Sequence, residues 1–219
     1  MLLIQQASAA LLADYIFENS LSGNIAGAPD IEYLGGSAVY ENGTVDGLGV
    51  RALQIELDSG LKLDLSQWAI CDDYTVVLHG YIDDVVGYKK LIDFRNLTVD
   101  SGLYNFNGAV NLFPGIEAPN ERIVANEYFQ LVMTRDSNHL TTLYVNGEFQ
   151  FEYTDVSLAT SMCFTDQFIF FVDDNFNNEH PRGAVARVTI YDHTLSAEEI
   201  GNLKVLDIIF ADDFEAELP

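Results

Sequence analysis

Asp173, Asp174 and Asn175, followed by Glu179, bring three carboxylates and a side-chain amide into one short hydrophilic run. Calcium takes ~6–8 oxygen ligands, and clustered carboxylates and amides at a turn supply them. The run therefore reads as a candidate calcium loop; its other reading is a solvated turn of Asx-type residues. Asp14 joins the set if the N-terminal strand pairs beside the last one. Asp72-Asp73 and Asp83-Asp84 are also acidic pairs, but they flank strands without neighbouring amides. For a sugar, whose apolar face stacks on a ring, the candidate platforms are Trp68, Tyr88 and Tyr104; the competing role is packing, since large aromatics are mostly buried. No Gly-x-Ser-x-Gly elbow, His-Glu-x-x-His or phosphate loop occurs in the chain. His79, inside an apolar strand pattern, reads as a structural residue, and no catalytic residue is assigned.

The chain of 219 residues has 34 acidic and 10 basic side chains, a net charge of −24. That surface repels phosphate backbones and anionic lipid, so nucleic acid and membrane surfaces are poor partners, and it attracts cations. An apolar content of 48% argues for a packed core, and no run approaches the ~18 apolar residues that cross a bilayer. Ala7-Ser8-Ala9 resembles a signal-peptidase site behind too short an apolar run and no positive n-region. It reads either as the stub of a signal peptide or as the lead-in to a first strand. Cys71 and Cys163 lie outside any Cys-x-x-Cys pair. They form either a disulfide, worth up to ~4–5 kcal/mol for so long a loop, or two buried thiols.

Positioning such groups falls to strands. Leu53, Ile55 and Leu57 alternate with Gln54, Glu56 and Asp58, and Leu61, Leu63 and Leu65 repeat the pattern after Ser59-Gly60, which reads as a hairpin. Tyr74–Ile82, Tyr88–Phe94, Gly102–Phe106, Ala109–Phe113 and Tyr128–Thr134 follow. Asn146-Gly147 marks a type I′ hairpin between Thr141–Val145 and Glu148–Tyr153. Phe168–Val172 and Ala184–Tyr191 complete the set. One helix is expected, opened by the Ser196-Ala-Glu-Glu199 capping box. The expected fold is all-β: a two-sheet antiparallel β-sandwich of jelly-roll type with one short C-terminal helix, a single domain over 1–219 with its core at about 12–203 and a tail at 204–219.

Leu143-Tyr144-Val145-Asn146-Gly147-Glu148 and the run from Gly183 through Ile200, with LLADYIFENSLSGN near the start, resemble the laminin-G-like jelly rolls of the concanavalin A-like lectin/glucanase superfamily. The resemblance implies an exported or surface-borne, non-catalytic lectin-like module, secreted or at a bacterial cell surface, that binds a glycan or surface polymer with the help of calcium. A protein-binding adhesive domain is the alternative it allows, and a glucanase a more distant one. Many relatives carry an acid where Ala186 stands here, which weakens the inference of calcium at that place. Glucanases of the superfamily align carboxylates along one strand as Glu-x-Asp-x-x-Glu, with ~5–5.5 Å between the catalytic pair. Glu56-Leu57-Asp58 approaches this pattern without the third acid, and alternation turns both carboxylates to solvent. The tail from Ile209 to Glu215 is similar to a short ending of secreted bacterial proteins.

Overall fold

The computed structural model describes residues 11–45, 48–68, 70–174 and 179–203. Asn175, Ala7-Ser8-Ala9 and the 204–219 tail lie outside them. Within the described residues the chain forms two antiparallel sheets. The first runs β13 (Glu148–Thr154), β12 (Leu140–Val145), β11 (Phe129–Arg135), β6 (Tyr74–Ile82), β15 (Gly183–Tyr191), β4 (Leu48–Ile55) and β3 (Tyr40–Val45), with β1 (Leu11–Ile16) also paired to β15. The second runs β10 (Ile116–Glu121), β9 (Ala109–Phe113), β8 (Gly102–Phe106), β7 (Tyr88–Asp93), β14 (Gln167–Phe170), β5 (Gly60–Asp64) and β2 (Glu32–Leu34). The one α-helix among these residues, α1 (Ala197–Asn202), carries the complete Ser196–Glu199 capping box.

The core lies between the sheets. Leu53, Ile55, Val76, Leu78, Val185 and Val188 enter it from the first; Leu61, Leu63, Leu103, Leu112, Phe168 and Phe170 enter it from the second. The expected hairpin at Ser59-Gly60 is not formed. Strand β4 pairs β3 and β15, whereas β5 pairs β14 and β2, so the chain crosses between layers here. Ser59 shapes the crossing: its Oγ accepts from Glu56 N–H and donates to Glu56 C=O, both at 2.8 Å. Leu57 is 56% exposed because β4 stops at Ile55 and the alternation stops with it. Short strands β2, β3 and β10 carry little apolar alternation and were not expected.

The outer face of the first sheet is covered along its middle strands. Ile200 of α1 packs with Leu195 on Val77 and Val132. Ala186, at a bulge in β15, is buried with Ala52, Ala184, Val45 and Val50. His79 is buried there at 3.0 Å from Gln130 Nε2, and burial, reinforced by the Arg187 charge, lowers its pKa to about 3, so it stays neutral.

Cys71 and Cys163 are joined by a disulfide, Cα–Cα 4.4 Å. Beside it Arg135, fully buried, donates through Nη1 to Asp155 (3.1 Å) and Thr160 (2.9 Å) and through Nε and Nη2 to Asp72 Oδ1 (3.2 and 3.1 Å).

Candidate functional site

The outer face of the second sheet is built differently. Alternation that sends Leu103 and Leu112 into the core turns Tyr88, Lys90, Tyr104, Phe106 and Asn111 outward, and register places Tyr88 opposite Phe106 and Lys90 opposite Tyr104. Past Phe170 the chain continues beside β7: Phe171 N–H donates to Leu91 C=O (3.2 Å) and Lys90 N–H to Glu179 C=O (2.8 Å). That path lays Asp173 and Glu179 against the outward side chains of β7 and β8.

Lys90 sits at the centre with no exposed surface. Its ammonium donates to Ser101 C=O (2.8 Å), lies 3.0 Å from Asp173 Oδ1 and 3.4 Å from Asp93 Oδ2, and rests 4.4 Å from the Tyr104 ring centroid. The Tyr104 hydroxyl is 3.1 Å from Asp173 Oδ1 and 3.0 Å from Asp100 Oδ1. Glycine at 102 makes the arrangement possible: with φ +145°, an added Cβ would stand 2.5 Å from Ile92 O and 3.4 Å from the Lys90 Nζ.

One carboxylate oxygen each from Asp100, Asp173 and Glu179 lies within 4.8 Å of the others. Among the described residues Asp93, Asp100, Asp173, Asp174 and Glu179 thus gather around the Lys90 ammonium, and the local charge is strongly negative. The Glu179 carboxyl is pushed above its ordinary value by burial and then by the charges of Asp173 and Asp100. Asp174 is raised by burial and by Asp173. A hard cation at the triad would relieve both; oxygen-only donors are the chemistry it requires.

Beside the acids lies a row of rings. Tyr88 and Phe106 are tilted at 31° with centroids 4.4 Å apart, and Tyr88 meets Tyr104 and Phe113 edge-on at 5.7 and 5.9 Å. Tyr88, Phe106 and Phe113 are half-buried and keep part of their surface exposed. Asn111, opposite Tyr104, is 7% exposed, and its Oδ1 has no hydrogen-bond partner.

Of the residues singled out by sequence, Asp173, Asp174, Glu179, Tyr88 and Tyr104 come together here. Tyr104 is only 1% exposed and offers no face for stacking; it holds Asp100 and Asp173 instead. Asp14 is elsewhere: β1 does pair with β15, but Asp14 lies opposite Thr189, and its Oδ1 accepts from Arg187 Nε (2.6 Å) and Thr189 Oγ1 (3.2 Å). Trp68 is also remote. Strand β14 runs from Gln167 beside Asp64 to Phe170 beside Leu61, so Asp173 leaves by one end of the sandwich while Trp68, beyond Asp64, sits at the other. There Trp68 packs partly on the core and lines a separate groove of 660 Å³ with Leu12, Gln67, Asp72, Asp73 and Asp192. Glu56 and Asp58 occupy the exposed crossing turn, where Glu56 takes a hydrogen bond from Arg182 (3.3 Å). Lys90, Asp100, Phe106 and Asn111 were missed. The one hint was Lys90 itself, a cation at a position where the strand's alternation would otherwise face the ring row.

Among the described residues fifteen antiparallel strands build a jelly roll of the class shared by lectin and glycoside hydrolase domains. The chain belongs to the concanavalin A-like lectin/glucanases superfamily, whose laminin-G-type profile matches residues 58–201. No curated protein matches it by sequence. Among solved structures it is similar to domain 4 of the extracellular arabinanase AbnA of Geobacillus stearothermophilus, solved with arabinotriose: 17% identity and a TM-score of 0.66 over 89% of this chain and 98% of that one. It is also similar to the receptor-binding domain of a botulinum neurotoxin mosaic serotype C/D, at 14% identity and TM-score 0.59, covering 88% of this chain and 49% of that one. A Trypanosoma rangeli sialidase solved with sialic acid aligns at 18% identity and TM-score 0.53, covering 68% of this chain and 26% of that enzyme. At these identities what is shared is the fold. No helix among the described residues is long and apolar enough to cross a membrane.

Proposed function

We propose that this domain is a non-catalytic, exported carbohydrate-binding module that holds a neutral glycan against Tyr88 and Phe106, with calcium bound by Asp100, Asp173 and Glu179. The observation that carries the reading is the carboxylate triad lying on the same sheet face as a half-exposed aromatic pair. Tyr88 and Phe106 supply the stacking surface, and calcium would fix the Asp173 segment. The arabinotriose bound to the arabinanase domain supports a sugar as ligand. The exposed, Arg182-engaged position of Glu56 supports a role in binding rather than hydrolysis. The net charge of −24 and the disulfide support an exported location.

A glycan array with calcium, run on the native protein and on Tyr88→Ala, tests the reading. Binding to neutral oligosaccharides is expected from the native chain, with about a tenfold loss in the variant, ~1.4 kcal/mol and within the range of one ring contact. An array that stays blank while a surface protein is captured would assign the face to protein adhesion. Release of reducing sugar from arabinan or β-glucan would make the domain an enzyme.

Calcium is expected to raise the melting temperature by about 5–10 °C at a hundredfold excess over its Kd, and a chelator to reverse it. The raised carboxyls set the pH dependence. In the metal-free fold Glu179 and Asp174 hold protons that the unfolded chain has released, so their contribution to stability falls as pH rises through their folded values. Calcium must displace those protons, so its affinity increases over the same window. A calcium titration indifferent to pH between 4 and 7, roughly the range of raised carboxyls, would remove Glu179 and Asp174 from the site.

A further inference from the structure

At the opposite end of the sandwich the disulfide has company that a covalent tie does not require. Asp72 Oδ2 lies 3.7 Å from Cys71 Sγ and 3.6 Å from Cys163 Sγ. The three atoms fall within 4.8 Å of one another. His139 Nε2 is 3.9 Å from the same oxygen. Asp72 is held in this pose from behind, because its other oxygen, Oδ1, is gripped by Nε and Nη2 of the buried Arg135. A carboxylate with one oxygen fixed by an arginine and the other facing two sulfurs and an imidazole is oriented as metal-ligating carboxylates are, by a hydrogen-bond partner behind it.

The spacing suits a particular metal. Ligands on a tetrahedral zinc, with bonds of ~2.0–2.3 Å, stand ~3.3–3.8 Å apart. The two sulfur–oxygen distances fall in that range, the two sulfurs must part from bonding distance to reach it, and His139, 38% exposed and 3.9 Å from the same oxygen, is the candidate for the fourth corner. Thiolate and imidazole select zinc over calcium, in contrast to the oxygen-only triad near Lys90.

We propose that, on reduction of the disulfide, Cys71, Cys163, Asp72 and His139 form a tetrahedral zinc site, so that the same two sulfurs serve either as a covalent tie or as metal ligands. A phosphine reductant makes the exchange explicit. Phosphorus attacks one sulfur, the S–S bond breaks, and water converts the phosphonium to phosphine oxide, leaving two thiols; zinc then binds both as thiolates and two protons leave. The two segments stay together without the bond, since Met162 N–H donates to Cys71 C=O (3.0 Å) and Arg135 ties Asp72 to Asp155 and Thr160. Cys163 is exposed, which gives reductant and metal access.

The test uses the full chain, reduced with a phosphine, freed of reductant and metals under anaerobic conditions, and titrated with cobalt(II) as a spectroscopic stand-in for zinc. A thiolate-to-cobalt charge-transfer band saturating at one equivalent is expected, with the visible bands of a tetrahedral ion, and zinc should bleach both. The oxidised protein and Cys163→Ser should lack the dithiolate spectrum. His139→Ala should weaken cobalt binding at least about tenfold, the least that losing even an outer-shell partner costs. Absence of the band in a reduced chain that keeps its β-sheet circular dichroism overturns the proposal, as does a band undiminished in Cys163→Ser. Loss of the β-sheet signal on reduction overturns it equally, because the fold must hold the ligands without the bond. An unchanged affinity in His139→Ala removes His139 and with it the closed tetrahedron.

Discussion

Arg135→Met is expected to cost the fold about 3–5 kcal/mol, the penalty for stranding a buried charge by removing its partner. Methionine approximates the length of the arginine stem and fills the space, so the loss isolates the guanidinium. Asp155 would then remain with no exposed side-chain surface and without the guanidinium that pairs it. Burial alone would push its carboxyl upward, but the N–H groups of Thr160 and Ala159 and the hydroxyls of Ser157 and Thr160 outweigh that and hold it below the ordinary range. A depressed carboxyl stabilises the fold above its unfolded pKa, and that contribution is lost as pH falls through the folded value. The deficit of the variant should therefore be largest near neutrality and narrow in acid, where Asp155 is protonated. Urea midpoints of both proteins at neutral and acidic pH measure it. A difference under about 1 kcal/mol at pH 7 would mean that the network adds little, as for a surface pair.

Lys90→Met is expected to lower the melting temperature in chelator by on the order of 10 °C, from a loss of similar size. Its second effect is more informative. Lys90 is a cation that the carboxylates of Asp93 and Asp173 share, so calcium in the variant has to neutralise charge that the ammonium neutralises in the native chain. The calcium-dependent rise in melting temperature should be larger in the variant than in the native protein. Equal increments in the two would show that the ion, if bound at all, sits away from Asp173.

These residues also mark what a sequence can disclose about such a fold. Alternation identified Leu61, Leu63 and Leu65 as one buried set, and Asn146-Gly147 as a tight turn, because both depend on neighbours in the chain; Asn146 and Gly147 do adopt φ values of 52° and 75°. Alternation says which face a side chain takes, not which layer its strand joins, so the crossing at Glu56–Ser59 looked like a hairpin. It also cannot tell when an outward face will be covered: Val77, His79 and Thr189 are buried on the outer face of the first sheet. The site divides along the same line. Asp173 and Glu179 were visible as a local cluster, whereas Asp100 and Lys90 reach it from the hairpin of β7 and β8, about eighty residues earlier, a separation that only strand pairing closes. Tyr104 showed its ring chemistry, but its burial follows from the ammonium and carboxylates stacked against it.

The late position of β15 in the chain governs how the molecule can be made. Its residues 183–191 pair with β6 on one side and with β4 and β1 on the other, and Arg187 seals Asp14 across a sequence separation of 173. A nascent polypeptide that has emerged only as far as Arg182 holds the two halves of its first sheet with no strand between them. Their unpaired edges must wait until residues 183–191 emerge, a topology of high contact order that folds slowly and exposes strand edges while it waits. Truncation anywhere before Tyr191 should therefore yield aggregated chains rather than a smaller folded domain.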